Sequence, residues 1–242
     1  MLAILRKEIN GFLNSLIAYL IMVIFLTGIG LFIWVFPDTN VLDYGFADLS
    51  TLFSLAPYVF MFLIPAVTMR SFAEEKKGGT MELLLTRPLT DWDIILGKYL
   101  ACLLLIVFTL LPTLVYYFSV YQLGNPPGNI DSAGVIGSYT GLLLLAAVFT
   151  AIGIFASGIS ENQIVSFIIA AFLCFVLFAG FSSLSSLNAG GDFAYFIAQL
   201  GIDYHYQAMS KGLIDSRNVV YFLSVIAIML MATRLVLASR KW

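Results

Sequence analysis

Charge is scarce in this sequence. Only 11% of its 242 residues are Asp, Glu, Lys or Arg, less than half the roughly 25% of a soluble domain. That scarcity excludes an ordinary cytosolic enzyme and a disordered tail. It also excludes a nucleic-acid binder, because 12 Lys+Arg against 14 Asp+Glu leave no basic stripe. The two cysteines, Cys102 and Cys174, sit inside long apolar runs and read as small membrane-embedded hydrophobes, so no disulfide framework is expected. His205 is the single histidine, with no Cys near it, which is too little for a zinc site.

Catalytic signatures are missing too. There is no H-E-x-x-H and no G-x-S-x-G. Glu74-Glu75 has Gly79 where an E-E-x-x-x-R protease motif needs arginine, and Gly190-Gly191-Asp192 has Ala189 where G-x-G-D needs its first glycine. Gly97-Lys98 is followed by Tyr99 and has Trp92 at the first glycine position of a phosphate-binding G-x-x-x-x-G-K-[ST] loop. An enzyme needs positioned acids, bases or a metal, and the apolar runs supply none.

Apolar residues make up 61% of the chain. A membrane span takes about 20 of them, and six runs qualify: 15–36, 51–69, 99–121, 133–157, 162–187 and 219–232. The last reaches residue 238 if Arg234 snorkels to the interface. No run carries a charge in its core. The first exceeds a signal-peptide h-region, and no A-x-A-like site follows Trp34-Val35-Phe36. Ahead of it, Leu2, Leu5, Ile9, Phe12 and Leu16 recur at spacings of three and four, while Arg6, Lys7, Asn10 and Asn14 fall mostly elsewhere on the wheel. That pattern predicts an amphipathic helix at the membrane surface over 1–14.

Six spans put both termini on one side. That side collects ten of the twelve basic residues, leaving only Lys211 and Arg217 for the other, whereas the acidic residues split seven and seven. Basic residues mark the cytoplasmic side, so both termini are expected in the cytoplasm.

The densest stretch is 70–98, with five basic residues counted by their placement on that side (Arg70, Lys76, Lys77, Arg87 and Lys98). Gly78-Gly79 is expected to stop the helix leaving the second span. Thr80 can cap a short helix over 81–87 that Pro88 ends. Thr90-Asp91-Trp92-Asp93 then fits a helix start and opens the third span. The short helix presents Met81, Leu83, Leu84 and Leu85, either to the headgroup layer or to a groove on a cytoplasmic protein. Glu74, Glu75, Lys76 and Lys77 would rim the second kind of contact.

Arg70-Ser71-Phe72-Ala73-Glu74-Glu75, then Gly79-Thr80-Met81-Glu82-Leu83-Leu84-Leu85-Thr86-Arg87-Pro88, then Gly97-Lys98-Tyr99 resembles the signature of type-two ABC exporter permeases. That signature runs roughly R-x-x-A-x-E, G-T-(apolar)-E-x-L-L-x-x-P and G-K. The pair Lys76-Lys77 ahead of Gly78-Gly79 departs from its spacing. Within the family the chain looks most like the short permease associated with bacterial gliding motility, with the related permeases of copper-processing and sodium-export systems as near alternatives. The resemblance spans residues 1–242 as a single permease domain. It implies an all-α integral membrane protein of six transmembrane helices, with the amphipathic helix at 1–14, a cytoplasmic coupling segment at 70–98 and an outer re-entrant helical segment at 188–218.

The resemblance makes Glu75, Gly79, Thr80, Met81, Glu82, Leu83, Leu84, Leu85 and Pro88 the ATPase-coupling residues. It implies a separate ATP-binding cassette subunit that carries ATP and Mg, and a second permease copy or paralogous half. An accessory periplasmic or membrane subunit is a further partner it allows. This chain itself is expected to bind no cofactor and to sit in the bacterial cytoplasmic membrane. Before the last span, His205, Tyr206, Gly212 and Asp215 match the family pattern of an outer gate. Phe175, Phe178, Phe181, Ser182 and Ser183 are candidate substrate contacts, with helix packing as their other reading. The rival function is an ion-coupled carrier built on spans broken at Pro57, Pro65 or Pro112; it lacks an in-span carboxylate to carry a proton.

Overall fold

The computed structural model describes residues 1–43, 45–81, 89–187, 192–212 and 215–239. Its helices are α1 (Leu2–Leu13), α2 (Leu16–Trp34), α3 (Ser50–Thr68), α4 (Arg70–Lys77), α5 (Asp91–Leu110) and α6 (Leu114–Leu123). They continue with α7 (Ser132–Ile159), α8 (Gln163–Phe175), α9 (Phe181–Leu187), α10 (Asp192–Leu200), α11 (Ile202–Ser210) and α12 (Ser216–Ala238). A 3-10 turn, Leu111–Thr113, joins α5 to α6, and a π turn, Val176–Gly180, joins α8 to α9. No strand occurs among the described residues. The fold is all-α, with six helical units long and apolar enough to cross a bilayer: Leu16–Trp34, Ser50–Lys77, Asp91–Leu123, Ser132–Ile159, Gln163–Ser186 and Ser216–Ala238.

Polar residues start these apolar helices, because the first-turn N–H groups need acceptors that an apolar sequence cannot provide. Ser15 accepts from the Ile17 N–H, Asp131 from Gly134, Asn162 from Ile164 and Asp215 from Arg217. Thr90 and Asp93 form a reciprocal capping box at the head of α5. That box places the start of the third span at Asp91, two turns earlier than the apolar run beginning at Tyr99 suggests. The charge of Lys98 thereby falls inside the helix.

Helix α7 is the central post, packed against α3, α4, α5, α8, α11 and α12. Leu142, Leu145, Phe149 and Ile152 are fully buried on it. Gly153 lets α3 approach, since a methyl group there would overlap the Thr68 side chain. The windows of α3, α5 and α7 are mostly buried, whereas α2, α8–α9 and α12 show apolar side chains outward. Broad apolar exposure of that kind suits contact with lipid or another subunit.

The prolines of α3 do not break it. The helix runs unbroken from Ser50 to Thr68 through Pro57 and Pro65; only Pro112 coincides with an irregular turn. Proline at position 57 has no N–H for the carbonyl four residues earlier. That carbonyl, on Phe53, accepts a 2.6 Å hydrogen bond from the Tyr206 hydroxyl instead. A neighbouring helix has replaced the missing donor, which is how buried segments tolerate proline.

Candidate functional site

Met69, in a right-handed helical conformation, joins α3 to the short α4, which lies on the face that also holds α1 and the C-terminal end of α12. Contacts of α1 with α5, and of Arg234 with Trp92 (5.5 Å to the ring centroid), bring these ends together. Two of the first N–H groups of α4, on Phe72 and Ala73, donate to Ser157 Oγ at 2.9 and 3.1 Å, and that hydroxyl donates to the Met69 carbonyl. In return the Lys76 ammonium donates to the Gly158 carbonyl at the C-terminal end of α7. Each helix supplies groups that the other helix end lacks, and the ammonium sits at the negative end of the α7 dipole.

The other side of α4 carries a charge cluster. Glu75 lies 2.9 Å from Lys7 and 3.0 Å from Lys98; Lys98 also pairs with Glu8 at 2.9 Å and donates to the Ser71 carbonyl at 2.6 Å. Lys98 is 1% exposed and lies 5.3 Å from the Phe72 ring centroid. A buried ammonium persists only when paired and hydrogen-bonded, and two carboxylates and a carbonyl meet that requirement. Partial burial works against the Lys7 ammonium, but the hydrogen bond and charge of Glu75, aided by Glu8, outweigh it and raise its pKa above the ordinary lysine value. Its ion pairing is therefore intact throughout the neutral range and is lost only as pH rises through that elevated value.

Gly97 makes this arrangement possible. A side chain there would begin 3.0 Å from the Ile4 side chain, so glycine lets α1 lie on α5 and bring Glu8 over Lys98. The adjacent pair Gly97-Lys98 thus joins a steric role to an ionic one.

Of the residues singled out for coupling, Glu75 is turned into the charge cluster and Lys76 toward α7, leaving Glu74 and Lys77 exposed. Gly78 donates to the Glu74 carbonyl, and Gly79, at φ +66°, takes the left-handed conformation that ends α4. Thr80 and Met81 begin another helical turn; the Thr80 hydroxyl donates to the Glu75 carbonyl at 3.3 Å, and Met81 is buried. Glu82, Leu83, Leu84, Leu85 and Pro88 lie outside the described residues.

On the opposite face, α10 and α11 form the pair of short helices before the last span. His205 has its ring nitrogens 2.8 Å from Asn218 Oδ1 and 2.9 Å from the Gln199 carbonyl, and it stacks on Tyr221 at 3.8 Å. It therefore ties α10, α11 and α12 together. Tyr206 is buried and holds the Phe53 carbonyl. Gly212, at φ +80°, abuts α7 so closely that a methyl group on Gly137 would lie 2.8 Å from its Cα. Asp215 caps α12. Burial raises the Asp203 carboxyl above the usual range, although its hydrogen bond with Gln207 opposes the shift.

Beneath these helices Phe178 is buried among Tyr58, Phe149 and Tyr206, with ring centroids 5.8 to 6.3 Å apart. Phe175 is exposed, Phe181 is partly buried, Ser182 donates to the Ala179 carbonyl, and Ser183 faces outward. Among the described residues no group of three His, Cys, Asp or Glu comes together to hold a metal.

Sequence reasoning missed Glu8, Ser157 and the burial of Lys98. The signal was present in the Thr90-x-x-Asp93 cap, which moves Lys98 two turns into its helix. Residues 2–240 match a family described as ABC-2 family transporter protein. A comparison with curated proteins finds no match.

Proposed function

The chain belongs to the ABC-2 transporter family, which makes it the membrane subunit of an ABC transporter whose ATPase is a separate subunit, and on that premise we propose that α4 is the lever through which the ATPase works. In this reading the face bearing α1 and α4 is cytoplasmic, and the coupling segment at 70–98 docks on the cassette subunit. Glu82, Leu83, Leu84 and Leu85 contribute the contact, with Gly79, Thr80, Met81 and Pro88 setting its ends. The observation that carries the proposal is the triple anchoring of α4: by Glu75 to α1, by Ser71 and Glu75 to Lys98 of α5, and by Ser157 and Lys76 to α7. A displacement of α4 reaches three other helices through these bonds.

Two such chains, or this chain and a related half, would enclose the pathway; the outward apolar faces of α2, α8 and α12 supply surface for that pairing. ATP binding draws the two cassette subunits together, the α4 levers follow, and the permease halves rearrange. Helices α10 and α11, held by His205 and Tyr206, close the far side as an outer gate, with Gly212 and Asp215 fixing their return into α12. The output is export of a substrate, or force on a cell-surface machinery of the gliding-motility kind. Family membership displaces the ion-coupled carrier reading.

The test is Leu84→Asp in the full-length protein. Membrane insertion should be unchanged while co-purification with the cassette subunit and stimulation of its ATPase activity are lost. Retention of both would remove the coupling assignment.

A further inference from the structure

The charge cluster opens, between α1, α2, α3 and α4, into a cavity of about 330 Å³. Its walls change character with depth. Ser15, Arg70 and Glu74 line its polar end, and Ile17, Ile21 and Ala66 its apolar end. The same three apolar residues also line a groove of about 640 Å³ that continues past Ile24, Phe62 and Phe167. Cavity and groove thus adjoin at Ile17, Ile21 and Ala66, the first lined by charged helix ends and the second almost wholly apolar. From Ile17 to Ile24, α2 rises about 10 Å, which fits inside the roughly 15 Å apolar depth of a single leaflet.

The charges at the polar end are not all spoken for. Lys7 and Lys98 are engaged by Glu8 and Glu75. Arg70 and Glu74 are not: among the described residues Arg70 Nε is buried with no hydrogen-bond partner, and no ion pair joins Arg70 to Glu74. They stand one turn apart on α4, at the i, i+4 spacing where opposite charges ordinarily meet. A guanidinium edge left buried without an acceptor is costly, and guanidinium is the side chain best matched to a phosphate.

We propose that cavity and groove together bind one membrane phospholipid with a primary-amine headgroup. The phosphate lies on Arg70, the ammonium turns toward Glu74, and an acyl chain passes Ile17, Ile21 and Ala66 into the groove. Opposite charges one turn apart suit a zwitterion, and the apolar continuation commits the site to a lipid over free phosphate. A helix of a second copy would fill the groove but leave Arg70 Nε unanswered. The inference requires only that the chain span a bilayer and is independent of its coupling to an ATPase.

The test is native mass spectrometry of the delipidated full-length protein, titrated separately with phosphatidylethanolamine, phosphatidylcholine and phosphatidylglycerol. One phosphatidylethanolamine per chain should be retained about ten-fold better than either competitor, a difference of about 1.4 kcal/mol. Arg70→Gln should lower retention of phosphatidylethanolamine about ten-fold. Glu74→Gln, at an exposed position, should keep lipid binding but erase the preference for the primary amine. Ala66→Phe should block the shared wall and remove the adduct with both charged residues intact. Equal retention of the three lipids by the unaltered protein overturns the proposal. So does an undiminished adduct in Ala66→Phe, or an Ala66→Phe protein that loses its dimer while keeping its lipid. Should Arg70→Gln fail to fold, the other two variants decide the matter.

Discussion

Lys98 concentrates the residue-scale logic of the molecule. Its ammonium is buried and held by two carboxylates and a carbonyl from two other helices, α1 and α4. Replacing a whole buried ion pair with apolar groups is often harmless, but removing one partner strands the others. Lys98→Met should therefore destabilise the protein by about 3–5 kcal/mol, because Glu8 and Glu75 would face each other without their shared cation. Thermal unfolding in detergent measures this, and a melting temperature within experimental error of the parent would show that water relieves the carboxylates. Glu8→Gln in the same background should recover part of the loss, since it removes one of the two stranded charges.

At the scale of elements, the docking of α11 on α3 turns on one proline. Pro57 deprives the Phe53 carbonyl of its helical donor, and the Tyr206 hydroxyl takes that place. Tyr206→Phe should cost about 1–3 kcal/mol, the penalty for a buried acceptor left without a donor. In a Pro57→Ala background the helix supplies its own N–H, and the same change should cost clearly less. A double-mutant cycle reads this coupling directly; strict additivity would mean that α11 is held by packing alone. The positions were visible in the sequence as a proline in a span and a tyrosine near the gate. Their partnership was not, because 153 residues separate Tyr206 from Phe53.

Across the whole molecule, orientation follows from where the few charges lie. Ten basic residues on one side against two on the other predict that the α1 face is cytoplasmic. Cys102 and Cys174 are both buried, so an added cysteine can be labelled against a silent background. With a membrane-impermeant thiol reagent on intact cells, Asp38→Cys should react at once, and Glu161→Cys only after permeabilisation. The reverse pattern would invert the topology and take the coupling assignment with it. The same large-scale view separates three inner units from three that show apolar faces outward, and the latter are where lipid or a second copy must bind.

The sequence by itself determined the class of this protein: six apolar spans, an amphipathic leading helix, a break at Gly78-Gly79 and a family signature over 70–98. These are local properties, set by hydropathy over about 20 residues and by turn and cap chemistry within a few. The tertiary structure alone decided what the signature residues touch. Glu75 reads in sequence as part of an exposed charged run, yet it meets Lys7 and Lys98 from two distant helices. Gly97 reads in sequence as half of the Gly-Lys pair in the family signature, yet it is the seat on which α1 rests. Such pairings depend on which helix faces are brought together, and hydropathy, being almost uniform around these spans, cannot specify a face.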